Sequence, residues 1–270
     1  MKHLIFTLLI LCVFLNPVHA GSQSKSQARF SAEEISRFAK QVEIYAANRG
    51  AMVFLISRLG QPQKNLPEGI EFTHTAIAVY SDIQLTNGET VKGYAIHNLY
   101  QKEENPKRSL LVTDYPVDFF WGVHELKAGI SIPSRQLQHK LITAITNDYP
   151  KKLHNPRYSL IANPFNNKYQ NCTEHVLNVI NAAIYETTNM AQIKVNTRAY
   201  FTPQKVSTSR FKLALGGIFM DGVRTSDHKG KIATTTFSSI TRYLANNDLL
   251  QHTVILTPDR ISELTRNEES

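Results

Sequence analysis

Tyr169-Gln170-Asn171-Cys172-Thr173-Glu174-His175 is the stretch from which the architecture of this chain is read. Asn171 suits the position just before a helix, because its side-chain oxygen can accept a free amide of the first turn. Glu174 stands three residues further on, as in a capping box. Val176, Leu177, Val179, Ile180, Ala183 and Ile184 then recur at helical spacing, so an apolar helix is predicted with Cys172 at its first position. A thiol placed there meets the positive end of the helix dipole, and the thiolate is the reactive form of cysteine.

Far upstream, Phe72-Thr73-His74-Thr75-Ala76-Ile77-Ala78-Val79-Tyr80 reads as a strand. Alternation puts His74, Ala76 and Ala78 on one face and Thr75, Ile77 and Val79 on the other. Two alanines beside a histidine leave room for a helix to pack close; if the Cys172 helix lies there, imidazole and thiol meet. Asn87-Gly88 is a hairpin signal leading to a further strand, Val91 to Tyr100. His97 and Asn98 point to opposite faces of that strand, and either could orient the His74 ring. A Cys–His–Asn arrangement fixes the ring with an amide oxygen, which favours Asn98 over His97. Asn171 and Tyr169, in the turn entering the helix, are candidates for positioning and for shaping an oxyanion site.

The chain has 270 residues, a formal net charge of +8 and two cysteines. Met1-Lys2-His3, the apolar run Leu4 to Leu15 and Val18-His19-Ala20 have the three-part build of a secretory signal, with cleavage expected after Ala20. The mature protein would be periplasmic or secreted and not integral to the membrane, and it would keep one thiol, Cys172, since Cys12 leaves with the leader. Residues 21–29 read as a flexible lead, and 30–270 as a single α+β domain with C-terminal decorations. No aromatic residues interleave a Lys/Arg block, so nothing points to nucleic acid. Ser31-Ala32-Glu33-Glu34 is a capping box for a helix that Gly50 ends. Met52 to Leu59 reads as a buried strand, 101–109 as a loop, Val123 to Pro133 as a strand and Ser134 to Ile145 as a helix. Past Thr188, apolar material lies at Phe211–Phe219, Lys231–Phe237 and Thr253–Leu256, with helices expected at Ser238–Asn246 and Pro258–Arg266.

Each of these residues has a plainer reading. A lone cysteine in apolar surroundings packs as a small hydrophobe, and a strand histidine is an ordinary core residue. Cys172 could instead form an intermolecular disulfide. Cys172 and His175, with Glu174 and His74, could be metal ligands, but no second cysteine or close histidine pair completes a zinc spacing. Asn171-Cys172-Thr173 also fits the glycosylation pattern. Arg157 and Tyr158 could bind an anionic group, Asp114 to Trp121 reads as packing or a cleft wall, and Asp227-His228 as an exposed loop.

The order of Thr73-His74-Thr75-Ala76 followed by Asn171-Cys172-Thr173-Glu174 resembles the circularly permuted NlpC-type branch of the papain-like cysteine hydrolases. That resemblance covers roughly residues 50–185 and implies a papain-like antiparallel sheet with the Cys-bearing helix packed on it. It also implies Cys172 as nucleophile, His74 as base, and peptidase, amidase or acyl-transfer chemistry without a cofactor. Phe30 to Glu34, Asp114 to Phe120, His154 to Phe165 and Asn171 to Val176 are similar to a bacterial family of exported proteins defined only as a domain of unknown function. The expectation is an exported thiol hydrolase or acyltransferase acting on an amide or ester of cell-wall or lipid origin. The alternative is a non-catalytic envelope binding module on the same scaffold.

Overall fold

Val53-Phe54-Leu55-Ile56-Ser57-Arg58-Leu59 is buried along its whole length, as only a central strand covered on both faces can be. In a computed structural model, which describes residues 28–206 and 222–262, this strand sits mid-sheet. The elements in chain order are α1 (Ala32–Ala47), β1 (Val53–Leu59), a short 3-10 turn (Gln63–Asn65), β2 (His74–Gln84), β3 (Thr90–Gln101), β4 (Ser109–Asp114), α2 (Pro116–Phe120) and β5 (Glu125–Pro133). They continue with α3 (Arg135–Thr146), α4 (Tyr149–Lys152), α5 (Cys172–Tyr185), α6 (Met190–Tyr200), β6 (Gln204–Val206), β7 (Ile232–Thr234), α7 (Phe237–Asn246), β8 (Leu250–Thr257) and β9 (Arg260–Ser262). Seven strands form one sheet in the order β4-β3-β2-β1-β5-β8-β9, every pairing antiparallel, and β6 and β7 form a separate ribbon. The protein is therefore a mixed α+β fold on an antiparallel sheet.

A helical layer covers each face. On one side Phe54, Ile56, Ala76, Ala78, Ile96 and Ile130 pack against Ile35, Phe38 and Val42 of α1 and Phe119 and Phe120 of α2. On the other side Val53, Leu55, Ile77 and Val79 meet α3, α5 and α7 through Leu141, Val176, Val179, Ile180 and Leu244. Each such large side chain contributes about 1.5–3 kcal/mol when fully buried. The sequence leaves room for a helix over Ala76 and Ala78, and the condition that it be the Cys172 helix is not met. The helix that uses the space left by those alanines is α1, while α5 covers the Ile77 and Val79 face.

Local signals act as expected elsewhere. Ser31 and Glu34 close the capping box of α1, Ser134 caps α3, and the hairpin after β2 closes through Leu85 N–H to Glu89 O with Gly88 at φ +88°. The helix expected at Pro258–Arg266 is not formed over its described part. Thr257 pairs with Arg260 and Leu256 with Ile261, so Pro258 and Asp259 turn a hairpin into β9. The leader, residues 21–27, Phe211–Phe219 and residues beyond Ser262 lie outside the described residues. Among the described residues, no helix is long and apolar enough to cross a membrane.

Candidate functional site

Cys172 is the first residue of α5, as the sequence indicated. Asn171 Oδ1 accepts the Glu174 amide at 2.8 Å, while its Nδ2 donates to Leu160 O and Thr234 Oγ1. The cap thus ties the helix start to the loop before it and to β7. The capping box itself does not close. Glu174 is fully buried and turns to Lys194 of α6, whose Nζ lies 2.5 Å from Oε1. Burial pushes the Glu174 carboxyl above its usual range despite that ammonium, so removal from water outweighs the attraction. Cys172 is 5% exposed, with Sγ 3.6 Å from Thr173 Oγ1. A cavity of about 70 Å³ opens beside it, lined among others by Phe72, Thr73, Asn171, Thr173 and Thr235.

His74 begins β2 and sits in a polar network on the α1–α2 side of the sheet. Its Nε2 is 2.8 Å from Asn98 Oδ1. The Asn98 amide nitrogen donates to Ile96 O at 3.1 Å and to Asp114 Oδ2 at 3.0 Å, and Tyr100 donates to the same carboxylate oxygen at 2.5 Å. With both amide hydrogens engaged, Asn98 presents its oxygen to the ring, so Nε2 carries the proton and Nδ1 has the lone pair. Among the described residues Nδ1 makes no hydrogen bond. Tyr100 stacks on the imidazole with ring centres 4.8 Å apart, and Phe119 flanks it at 5.6 Å. Arg58, which donates to Phe119 O, lies over both aromatic rings. Burial first, and then the Arg58 charge, hold the His74 pKa down at about 3, against the raising effect of the Asn98 bond. The ring is therefore neutral near pH 7.

His74 and Asn98 are brought together; His97 is not part of that group. It pairs with Ile77 on the α5 face and lines a different cavity with His154 and His175. Cys172 approaches the His74 end of the sheet: Thr73, the residue before His74, lines the cavity beside the thiol. Thiol and imidazole nevertheless share no hydrogen bond among the described residues. The Tyr169 hydroxyl is bonded to Ser226 Oγ at 2.9 Å, with Lys168 and Arg224 over its ring. Tyr158 is buried, and burial first, then Cys172, raise its phenol pKa. Asp227 is buried and accepts the Asn163 amide, so it clamps two loops and is not an exposed loop residue as expected. Among the described residues, no group of three or more His, Cys, Asp or Glu side chains is arranged to hold a metal ion.

Three members of the His74 network were missing from the sequence reading: Arg58, Tyr100 and Asp114. Strand alternation would have placed Tyr100 on the face of Asn98, and a single arginine inside an otherwise apolar run is a signal for Arg58. Asp114, on the edge strand β4, is paired in register with Ile96 and fully buried, which the sequence does not reveal.

No curated protein and no solved structure matched this chain. Residues 45–244 match the model of a bacterial family described as "Uncharacterized protein conserved in bacteria (DUF2145)". That stretch holds every residue of the His74 network and the whole of α5, and on this match the chain belongs to that family.

Proposed function

We propose that this protein is an exported thiol hydrolase or acyltransferase on a papain-like, circularly permuted scaffold, acting on an amide or ester of cell-envelope origin. The observation that carries the reading is the fixed orientation of His74. Asn98 holds Nε2–H and leaves the Nδ1 lone pair free, the geometry a general base needs. Cys172 gives its proton to that nitrogen and its sulfur attacks the acyl carbon. The tetrahedral oxyanion forms near the free amides at the start of α5. As the carbon–nitrogen or carbon–oxygen bond breaks, His74 returns the proton to the leaving group, and a thioester remains on sulfur. Water, or an acceptor alcohol or amine, then releases the acyl group and regenerates the thiol. The step requires Cys172 to move into reach of His74. The buried thiol and the missing hydrogen bond between the two favour the competing reading, a non-catalytic envelope binding module.

Alkylation of native protein by iodoacetamide separates the two. In the hydrolase, Cys172 labels rapidly without denaturant, and His74→Ala and Asn98→Ala each slow labelling by about 10²-fold. Labelling only after unfolding, at one rate in all three proteins, would establish a structural cysteine and leave the binding module.

A further inference from the structure

A second cavity, of about 480 Å³, opens between β3, β4 and the turn from α3 into α4. Three imidazoles line it from three parts of the chain: His97 on β3, His154 after α4, and His175 in the first turn of α5. The rings of His154 and His175 meet edge to face with centres 6.3 Å apart. His154 Nε2 is satisfied by Ser109 Oγ at 3.0 Å. His175 is 4% exposed, and its Nδ1 is buried with no partner. A buried unpaired polar atom is costly, a penalty that a leucine of similar bulk would avoid. Lys151 stands exposed at the rim, while Val112 and Ile145 supply an apolar wall.

We infer that this cavity binds a small organic anion, its acid group held by Lys151 and the three imidazoles and its apolar body lying against Val112 and Ile145. The charge balance favours an acid: Lys151 lines the cavity and Arg108 acts on His154, against the exposed carboxylate of Asp148. A metal ion fits less well, since these rings are not arranged as a ligand set. All three rings are held neutral near pH 7. Burial lowers the pKa of His97, burial and Arg108 lower that of His154, and burial with the two neighbouring rings takes His175 to about 3. An anion reverses that balance by favouring imidazolium, so uptake strengthens on acidification.

The test is calorimetric titration of the full protein with hexanoate and, separately, hexanol at pH 7.5 and 5.5. Hexanoate binds about tenfold more tightly at the lower pH and hexanol does not bind. Lys151→Glu, a change at an exposed position that spares the core, weakens hexanoate at least tenfold. Cys172→Ala leaves it unchanged, so this site stands or falls apart from the thiol chemistry. Failure of hexanoate to bind, equal binding of hexanol, or unchanged affinity in Lys151→Glu would overturn the inference.

Discussion

Replacing Lys194 with methionine removes an ammonium while keeping most of the aliphatic stem. In the native protein that ammonium, 6% exposed with its residue, serves three acceptors: Glu174 Oε1 at 2.5 Å, Asn178 Oδ1 at 3.0 Å and Pro164 O at 3.0 Å. Glu174 is wholly buried and its other oxygen already lacks a partner. Lys194→Met therefore strands a carboxylate in the interior, and removing one partner of a buried pair costs about 3–5 kcal/mol. The loss depends on pH in a defined sense. The Glu174 pKa is already raised by burial, and without the ammonium it rises further. Between its unfolded and folded pKa values the native state binds the extra proton, so stability falls as pH rises through that window. The variant is thus further below wild type at pH 8 than at pH 5. The double change Glu174→Gln with Lys194→Met removes the stranded charge and recovers about 2 kcal/mol or more of the loss. Urea unfolding followed by circular dichroism at both pH values measures all of this. A single variant within about 1 kcal/mol of wild type, or a deficit independent of pH, would refute the reasoning.

Further consequences can be measured in the same way. His74 and His175 are both held near pKa 3, against an ordinary 6.5, by burial, with Arg58 adding to the effect on the first and two neighbouring imidazoles on the second. Below pH 6.5 the unfolded chain takes up protons that the folded rings refuse, so the urea midpoint should fall steadily as pH drops toward 3; a flat midpoint across that range would contradict the burial of both rings. Gly129→Ala places a methyl 2.8 Å from the edges of Phe72 and Phe237, which pack edge to face above it. That overpacking lowers stability by about 1–3 kcal/mol, and a variant melting at the wild-type temperature would show that the two rings can separate freely. Asn171→Ala removes the α5 cap and two donated hydrogen bonds, a loss of about 1–2 kcal/mol in urea unfolding. A neutral result there would mean that water replaces the amide.

Much of the frame was legible because local chemistry dictates it: the Ser31 capping box, the Asn87-Gly88 hairpin, the buried run of β1 and the Asn171 cap ahead of Cys172. Alternation put His97 and Asn98 on opposite faces, and only the preference for an amide oxygen favoured Asn98, the residue that bonds the His74 ring. Alternation says which residues share a face, but not which helix covers it, and so the two alanines of β2 give no sign that α1, not α5, occupies their face. Helix α6 escaped notice because its buried side chains are Ile193, Thr197 and the charged Lys194, a stripe without apolar periodicity. Asp114 and Arg58 look like surface residues in a sequence, and only the long-range register of β3 with β4 and of β1 with β2 makes them interior.

The placement of β8 in the sheet has a kinetic meaning. It pairs with β5, and Thr253 donates to Ile130 O across 123 residues of chain. β5 in turn has only β1 beside it until that final segment arrives. Pairings this distant in sequence close slowly, because the entropy of a long loop is lost before the strands make contact. During that interval β5 is a bare edge carrying Ile130 and Ile132, available to another chain. Folding yield should therefore depend on protein concentration, with aggregation competing against the docking of β8, and chains shortened before Leu250 should associate instead of folding.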